Sequence, residues 1–157
     1  MSNKPYSYSK DNNSVYINSS RLPKDWCNYL WSGDGYIARF TQAGHGESYH
    51  IDEKANLCEL NSNETRYVYL RDEESKTCWN VGEAPLMEPV EDFECEHHIG
   101  FSRVKSKKNG IDASIRYFVP SRGFHEIWTI RLTNDSGRER QLSVFPVVDF
   151  YLEGFDY

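Results

Sequence analysis

The sequence lacks the features that mark membrane, secreted and nucleotide-binding proteins. No run of about 18 apolar residues occurs in the 157-residue chain, which excludes a membrane-spanning helix. Residues 1–16 contain no apolar stretch of the kind that a secretory signal needs, so we expect a cytoplasmic protein. The G-x-S-x-G and P-loop patterns are missing as well, and serine-nucleophile and nucleotide chemistry therefore lose support.

Basic charge is also scarce. The chain has 18 Lys and Arg against 24 Asp and Glu, which gives a formal net charge of -6 and a sequence pI near 5.4. Nucleic acids and anionic membrane surfaces attract basic patches. We therefore expect neither a nucleic-acid partner nor a membrane partner.

Metal ligands are few and poorly spaced. The four cysteines form no CxxC pair, which favours reduced thiols in a cytosolic protein over a disulfide framework. In the densest group of candidate ligands, strand alternation would place Glu94, Glu96 and His98 on one face and Cys95 and His97 on the other. Neither face holds a usual zinc set. We expect no metal site, and instead an acidic face that is solvated or lies at an interface.

Aromatic residues, by contrast, are abundant, with 11 Tyr, 8 Phe and 4 Trp. Aromatic side chains are enriched in strands, which favours an all-β protein. They fill β cores, and they also form surfaces on which the apolar faces of sugar rings pack. Composition leaves both interpretations open.

Turn signals divide the chain into short strands at roughly ten-residue spacing, a pattern typical of an antiparallel β-sandwich. The strand-like runs are residues 15–17, 35–40, 66–70, 99–105, 111–117, 126–133 and 141–152. Residues 53–60 could hold a helical turn, although their apolar positions are few. We predict an all-β fold with an N-terminal arm at residues 1–20 and a β-sandwich domain at residues 21–157.

The second half of the chain has the clearest pattern. Asn109-Gly110 between two strand-like runs predicts a hairpin, because both residues tolerate positive φ. Trp128, Ile130 and Leu132 alternate with polar residues, so we expect them to face an opposite sheet. Pro146 lacks the N–H that a central strand needs, and it therefore predicts a bulge or an edge strand.

Candidate catalytic residues do not stand out. Hydrolysis of a sugar bond needs a pair of carboxylates. Glu94, Glu96, Asp149 and Glu153 are of the right type, but nothing in their spacing singles out a pair. We assign no catalytic residue, and a small glycosidase that acts through Glu94 or Glu96 is the remotest alternative.

The most unusual loop contains two glycines on either side of a histidine. Such glycines would let another surface approach the backbone closely. We interpret Gln42, Gly44, His45, Gly46 and Tyr49 as a substrate-adjacent or partner-facing loop. A tight turn between strands is the alternative.

Short motifs follow one another in a specific order along about four-fifths of the chain. They are Asp25-Trp26-Cys27-Asn28-Tyr29-Leu30, Thr41-Gln42-Ala43-Gly44 with Tyr49, Arg66-Tyr67-Val68-Tyr69-Leu70-Arg71-Asp72 with Trp79, residues 93–103, Asn109-Gly110, Tyr117-Phe118-Val119-Pro120, Glu126-Ile127-Trp128, Leu132-Thr133-Asn134 and residues 145–152. In this order they resemble the N-terminal domain of the glycoside phosphorylases of glycoside hydrolase family 94, formerly glycosyltransferase family 36.

The resemblance implies that the chain is the N-terminal portion of a large super-sandwich, truncated at its C-terminal end. A parent enzyme of this family would continue into a helical linker and an (α/α)6 barrel that holds the catalytic aspartate. It would catalyse inverting phosphorolysis of a β-glucosidic bond, with inorganic phosphate as co-substrate and no other cofactor. The implied partners are a β-glucan oligosaccharide or disaccharide, the missing barrel and a second subunit in a homodimer.

Two functional hypotheses follow. In the first, the chain is the non-catalytic sandwich portion of such a phosphorylase and serves as scaffold, dimer surface and wall of the sugar site. In the second, it is a free-standing carbohydrate-binding module that uses surface Trp and Tyr. An open reading frame that continues beyond Tyr157 would favour the first hypothesis, and a stop codon the second.

Overall fold

The structure, a computed structural model, describes residues 4–150, and within residues 62–64 only the backbone. Its strands are β1 (Tyr6–Tyr8), β2 (Ser14–Ile17), β3 (Cys27–Trp31), β4 (Tyr36–Thr41), β5 (Ser48–Ile51), β6 (Leu57–Glu59), β7 (Asn61–Asp72), β8 (Cys78–Asn80), β9 (Glu91–His98), β10 (Phe101–Lys108), β11 (Ile111–Phe118), β12 (Ile127–Asn134) and β13 (Leu142–Phe150). Across residues 4–150, no helix has the length and apolarity needed to cross a membrane.

The strands form three antiparallel sheets. The largest has six strands in the order β1-β2-β9-β10-β11-β12. A four-stranded sheet runs β3-β4-β5-β6, and a three-stranded sheet runs β13-β7-β8. The predicted all-β antiparallel sandwich is confirmed.

The core lies between the six-stranded sheet and the two smaller ones. Phe40 of β4 packs against Tyr117 of β11 with ring centroids 4.8 Å apart. The Ser106 hydroxyl of β10 donates to the Val81 carbonyl just after β8, at 2.8 Å. The large sheet therefore forms one layer, and the two smaller sheets share the other.

The predicted hairpin is confirmed. Lys108 of β10 pairs with Ile111 of β11, and the two residues between them, Asn109 and Gly110, have φ of 51° and 77°. Alternation along β11 follows the sequence pattern, with the apolar residues buried and the polar ones more exposed. On the neighbouring strand, Trp128 packs against the core as predicted, but it is only half-buried because β12 is the last strand of its sheet.

The prediction of a helical turn at residues 53–60 is wrong. Residues 57–59 form β6, which pairs with β5 through Ile51 and Leu57. The Asp52 carboxylate accepts the backbone N–H groups of Lys54 and Asn56, both at 2.8 Å. Such side-chain bonds favour turns over helices, and the sparse apolar pattern could not override them.

The two ends of the described chain lie in different sheets. The residues expected to form an N-terminal arm contribute β1 and β2, and β2 pairs with β9 through Ser14 and His98. The boundary between arm and domain stays a prediction. At the other end, Pro146 lies in β13, the first strand of its sheet, which confirms the edge position that a proline favours.

Candidate functional site

The glycine-rich loop lies mostly inside the fold. Gln42 is buried, and its side-chain amide donates to the Asp25 carboxylate at 2.8 Å and to the Ser20 carbonyl at 2.9 Å. Its carbonyl oxygen accepts the Trp26 N–H at 2.9 Å. Gln42 thus ties the segment before β3 to the end of β4.

The two glycines of this loop serve close packing. Gly44 has φ of 85° and is buried against Tyr117, while Gly46 has φ of 152° and lies so near the Arg39 carbonyl that a Cβ would collide with it. His45 is half-buried and lines, with Gln42, a cleft of about 180 Å³. A role of this loop beside a ligand or partner stays a prediction, with His45 and Tyr49 as its more exposed members.

The Glu-Cys-Glu-His-His segment, residues 94–98, lies in β9, and its side chains alternate as predicted. Glu96 faces outward but is buried, so the solvated acidic face expected there is not found at this residue. Ser14 donates to its carboxylate at 2.9 Å, and Arg103 forms an ion pair with it. His97 faces inward, with its ring nitrogens 3.0 Å from the Ser102 hydroxyl and 3.0 Å from the Trp26 carbonyl. Burial lowers the pKa of His97 and raises that of the Cys95 thiol. No group of three metal-ligating side chains occurs among the described residues.

A larger cleft, which the sequence analysis did not anticipate, opens between β12 and β13. Its volume is about 420 Å³. Its lining residues are Tyr36, Ser48, Leu60, Asn61, Phe124, His125, Glu126, Trp128, Pro146, Val148 and Phe150. They come from loops and strands far apart in sequence, so no local motif could have pointed to them.

The carboxylate of Glu126, which lines this cleft, is bound by neighbouring side chains. Its Oε1 atom lies 2.8 Å from Arg66 Nε and accepts the Trp128 indole N–H at 2.8 Å. The Arg66 guanidinium lies 4.4 Å from the centre of the Phe40 ring. Acid–base hydrolysis of a glycoside needs two carboxylates on either side of the bond. Among the described lining residues, Glu126 is the one carboxylate, and the walls around it are mostly apolar.

Comparison with known proteins identifies the family. The family model described as "Glycosyl hydrolase 94, supersandwich domain" matches residues 13–156. The chain belongs to this family, and the resemblance inferred from its motifs is confirmed.

The curated relatives are phosphorylases. Solabiose phosphorylase of Paenibacillus borealis is 33% identical over 92% of this chain, and the match spans 20% of the relative. The 3-O-beta-D-glucopyranosyl-beta-D-glucuronide phosphorylase of the same organism is 35% identical over 89% of this chain and 18% of its own length. N,N'-diacetylchitobiose phosphorylase of Vibrio furnissii is 29% identical over 91% of this chain and 19% of its own length. The chain thus spans about a fifth of the length of the relatives it matches.

Proposed function

We propose that this chain is the non-catalytic sandwich portion of a longer phosphorylase that cleaves a β-linked disaccharide or short β-glucan with inorganic phosphate. The observation that carries the proposal is the family match over residues 13–156, together with coverage of only about a fifth of each relative. Among the described residues of the cleft, the one carboxylate is held by Arg66 and Trp128, which supports a scaffold role for it. In this proposal the catalytic groups belong to a separate (α/α)6 barrel, and the enzyme is cytoplasmic.

The surface of β13 supports the scaffold part of the proposal. Val144 faces the side of the cleft, and 38% of its surface is exposed. Phe145 faces away from the cleft, and 46% of its surface is exposed. Val147 and Phe150 are exposed as well. Apolar surface of this extent favours coverage by another protein surface. We assign that coverage to the rest of the phosphorylase or to the second subunit of its homodimer, and we place the wall of the sugar site on the same side.

The test is an activity assay on the purified chain. We expect it to release no sugar 1-phosphate from cellobiose or N,N'-diacetylchitobiose in phosphate buffer, because in this proposal the catalytic groups belong to the barrel. Intact solabiose phosphorylase with its own substrate serves as the positive control. Release of sugar 1-phosphate by the chain, above a heat-denatured blank, would overturn the non-catalytic assignment.

A further inference from the structure

The outer face of the four-stranded sheet carries large aromatic and aliphatic side chains that are open to solvent. Tyr29 is 52% exposed and Trp31 is 64% exposed, and the two lie two residues apart on β3. Ile51 and Leu57, which pair across β5 and β6, are exposed on the same sheet. A cluster of this kind on a soluble domain usually marks a binding surface.

The strand register brings these side chains into rows. Trp31 lies opposite Ile37, Ile37 opposite Tyr49, and Tyr49 opposite Glu59, so one row crosses all four strands. Directly opposite residues in antiparallel strands share a face. The neighbouring row, which contains Leu30, Ala38 and Ser48, is buried and faces the core. Trp31, Ile37 and Tyr49 therefore point outward together. We call Tyr29, Trp31, Ile37 and Tyr49 the aromatic platform.

A fixed polar group borders the aromatic platform. Arg39, opposite Tyr29, donates from Nε to the Glu47 carboxylate at 3.0 Å. The Tyr49 hydroxyl donates to the same carboxylate oxygen at 2.6 Å. Burial opposes ionisation of Glu47, but the hydrogen bonds from Tyr49 and Arg39 hold its pKa below the usual value. The charges of Arg39 and Glu47 therefore compensate each other, and their donors and acceptors are held in place.

We propose that the aromatic platform binds β-linked oligosaccharides of gluco configuration. In such sugars the ring substituents are equatorial, so each ring presents apolar C–H faces that pack on an aromatic ring, while its hydroxyl groups lie at the rim. Tyr29 and Trp31, about 7 Å apart along β3, can contact neighbouring sugar units. The Arg39–Glu47 pair carries no net charge, which suits a neutral ligand, and the Glu59 carboxylate at the far end of the row disfavours an anionic one.

This binding surface is separate from the cleft between β12 and β13 and needs no catalytic step. It would hold a glycan near the enzyme or extend the contact with a long substrate. The sugar class rests on the proposed function, since the relatives are named for β-glucosyl and chitobiose substrates. The exposed aromatic surface itself is inferred only from the geometry of β3 to β6.

The test is affinity electrophoresis of the purified chain in native gels that contain hydroxyethyl cellulose or mixed-linkage β-glucan. We expect retardation relative to a gel without polysaccharide. Trp31→Ala and Tyr29→Ala should each weaken binding by about tenfold, as expected for loss of a stacking ring. Tyr8→Ala is the matched control, because Tyr8 is an exposed aromatic residue on β1 of the other layer. Thermal melts of all variants establish that they are folded. We expect all of them to fold, because each substituted side chain is exposed.

Each contrary outcome has a distinct meaning. An absence of retardation with both polysaccharides overturns the proposal. Retardation that Trp31→Ala leaves intact but Phe124→Ala removes would place sugar binding in the cleft, where Phe124 lies, and would also overturn it. Self-association that Trp31→Ala abolishes, without retardation, would make the aromatic platform an interface between copies. Release of sugar 1-phosphate by the chain would refute the proposed function and leave this inference standing.

Discussion

At the residue scale, two buried ion pairs join segments that are far apart in the sequence. Arg66 and Glu126 are 1% and 12% exposed and join β7 to the segment before β12. Arg140 and Asp72 are 4% and 1% exposed and join the segment before β13 to the end of β7. Removing one member of a buried pair leaves an uncompensated charge, so each pair is costly to break even if its net contribution to stability is small.

Glu126→Gln should destabilise the chain by about 3 kcal/mol, because the buried Arg66 guanidinium would lose its counter-charge. The matched control is Glu74→Gln, since the ion pair of Glu74 with Arg138 is more than half exposed. We expect the control to change the free energy of unfolding by less than about 0.5 kcal/mol. Urea denaturation measures both, and equal effects would contradict the structural role of Glu126.

Asp72 should make the chain sensitive to acid. The hydrogen bond from Ser75 and the Arg140 guanidinium lower the pKa of Asp72 to about 2, although burial opposes them. A carboxylate with a depressed folded pKa stabilises the fold above its unfolded value of about 3.9, and this stability is lost as the pH falls toward 2. The melting temperature of Asp72→Asn should therefore fall less between pH 5 and pH 2 than that of the unmodified chain. A steeper fall in the variant would contradict this assignment, and Asp135→Asn, in a half-exposed pair, is the control.

At the element scale, two turn glycines, Gly110 and Gly137, have similar backbone conformations but different surroundings. Gly110 joins β10 to β11 with φ of 77°, and a Cβ built on it would lie 2.8 Å from the Ser136 backbone. Gly137 has nearly the same φ, 73°, but open space around it. A residue with a Cβ would meet the same cost of a positive φ at either position, but only at position 110 would its Cβ also collide with neighbouring atoms.

Gly137→Ala should cost about 1 kcal/mol, the price of a left-handed conformation for a residue with a Cβ. Gly110→Ala should cost at least twice as much, since the turn at Ser136 must move as well. Chemical denaturation of both variants gives the difference directly. If the two costs were equal, the contact between the β10–β11 turn and Ser136 would not matter for stability.

Elements with a local sequence pattern could be predicted from the sequence. Features that depend on the register of strands far apart in the sequence could not. The alternation at Ile111, Ala113 and Ile115 and the Asn109-Gly110 turn sufficed to predict the β10–β11 hairpin. The cleft between β12 and β13 combines residues from β4, β7 and β12, which only the topology brings together. The aromatic platform likewise depends on which residue of β4 lies opposite Trp31, and no spacing in the sequence specifies that pairing.

At the scale of the whole molecule, the apolar side chains are buried to different extents in different parts of the sandwich. Core residues such as Trp79 and Phe40 are fully buried where the layers meet. Toward β13 the coverage decreases, and the outer face of the three-stranded sheet presents Phe145 and Val147 beside two tyrosines. The rings of these tyrosines, Tyr67 and Tyr69, have centroids 6.0 Å apart. Within the described residues β13 also has a free edge, since it is the first strand of its sheet.

We therefore expect the purified chain to associate with itself as its concentration rises. A free strand edge next to exposed apolar side chains offers backbone groups and apolar surface to a second copy. The double substitution Phe145→Lys and Val147→Lys should lower the association constant at least about tenfold, because charged side chains on an edge strand oppose such pairing. Tyr8→Lys, an exposed aromatic residue on the opposite layer, is the matched control and should leave association unchanged. Sedimentation velocity at several concentrations measures the effect, and a chain that is monomeric throughout would contradict the idea that this face needs a partner.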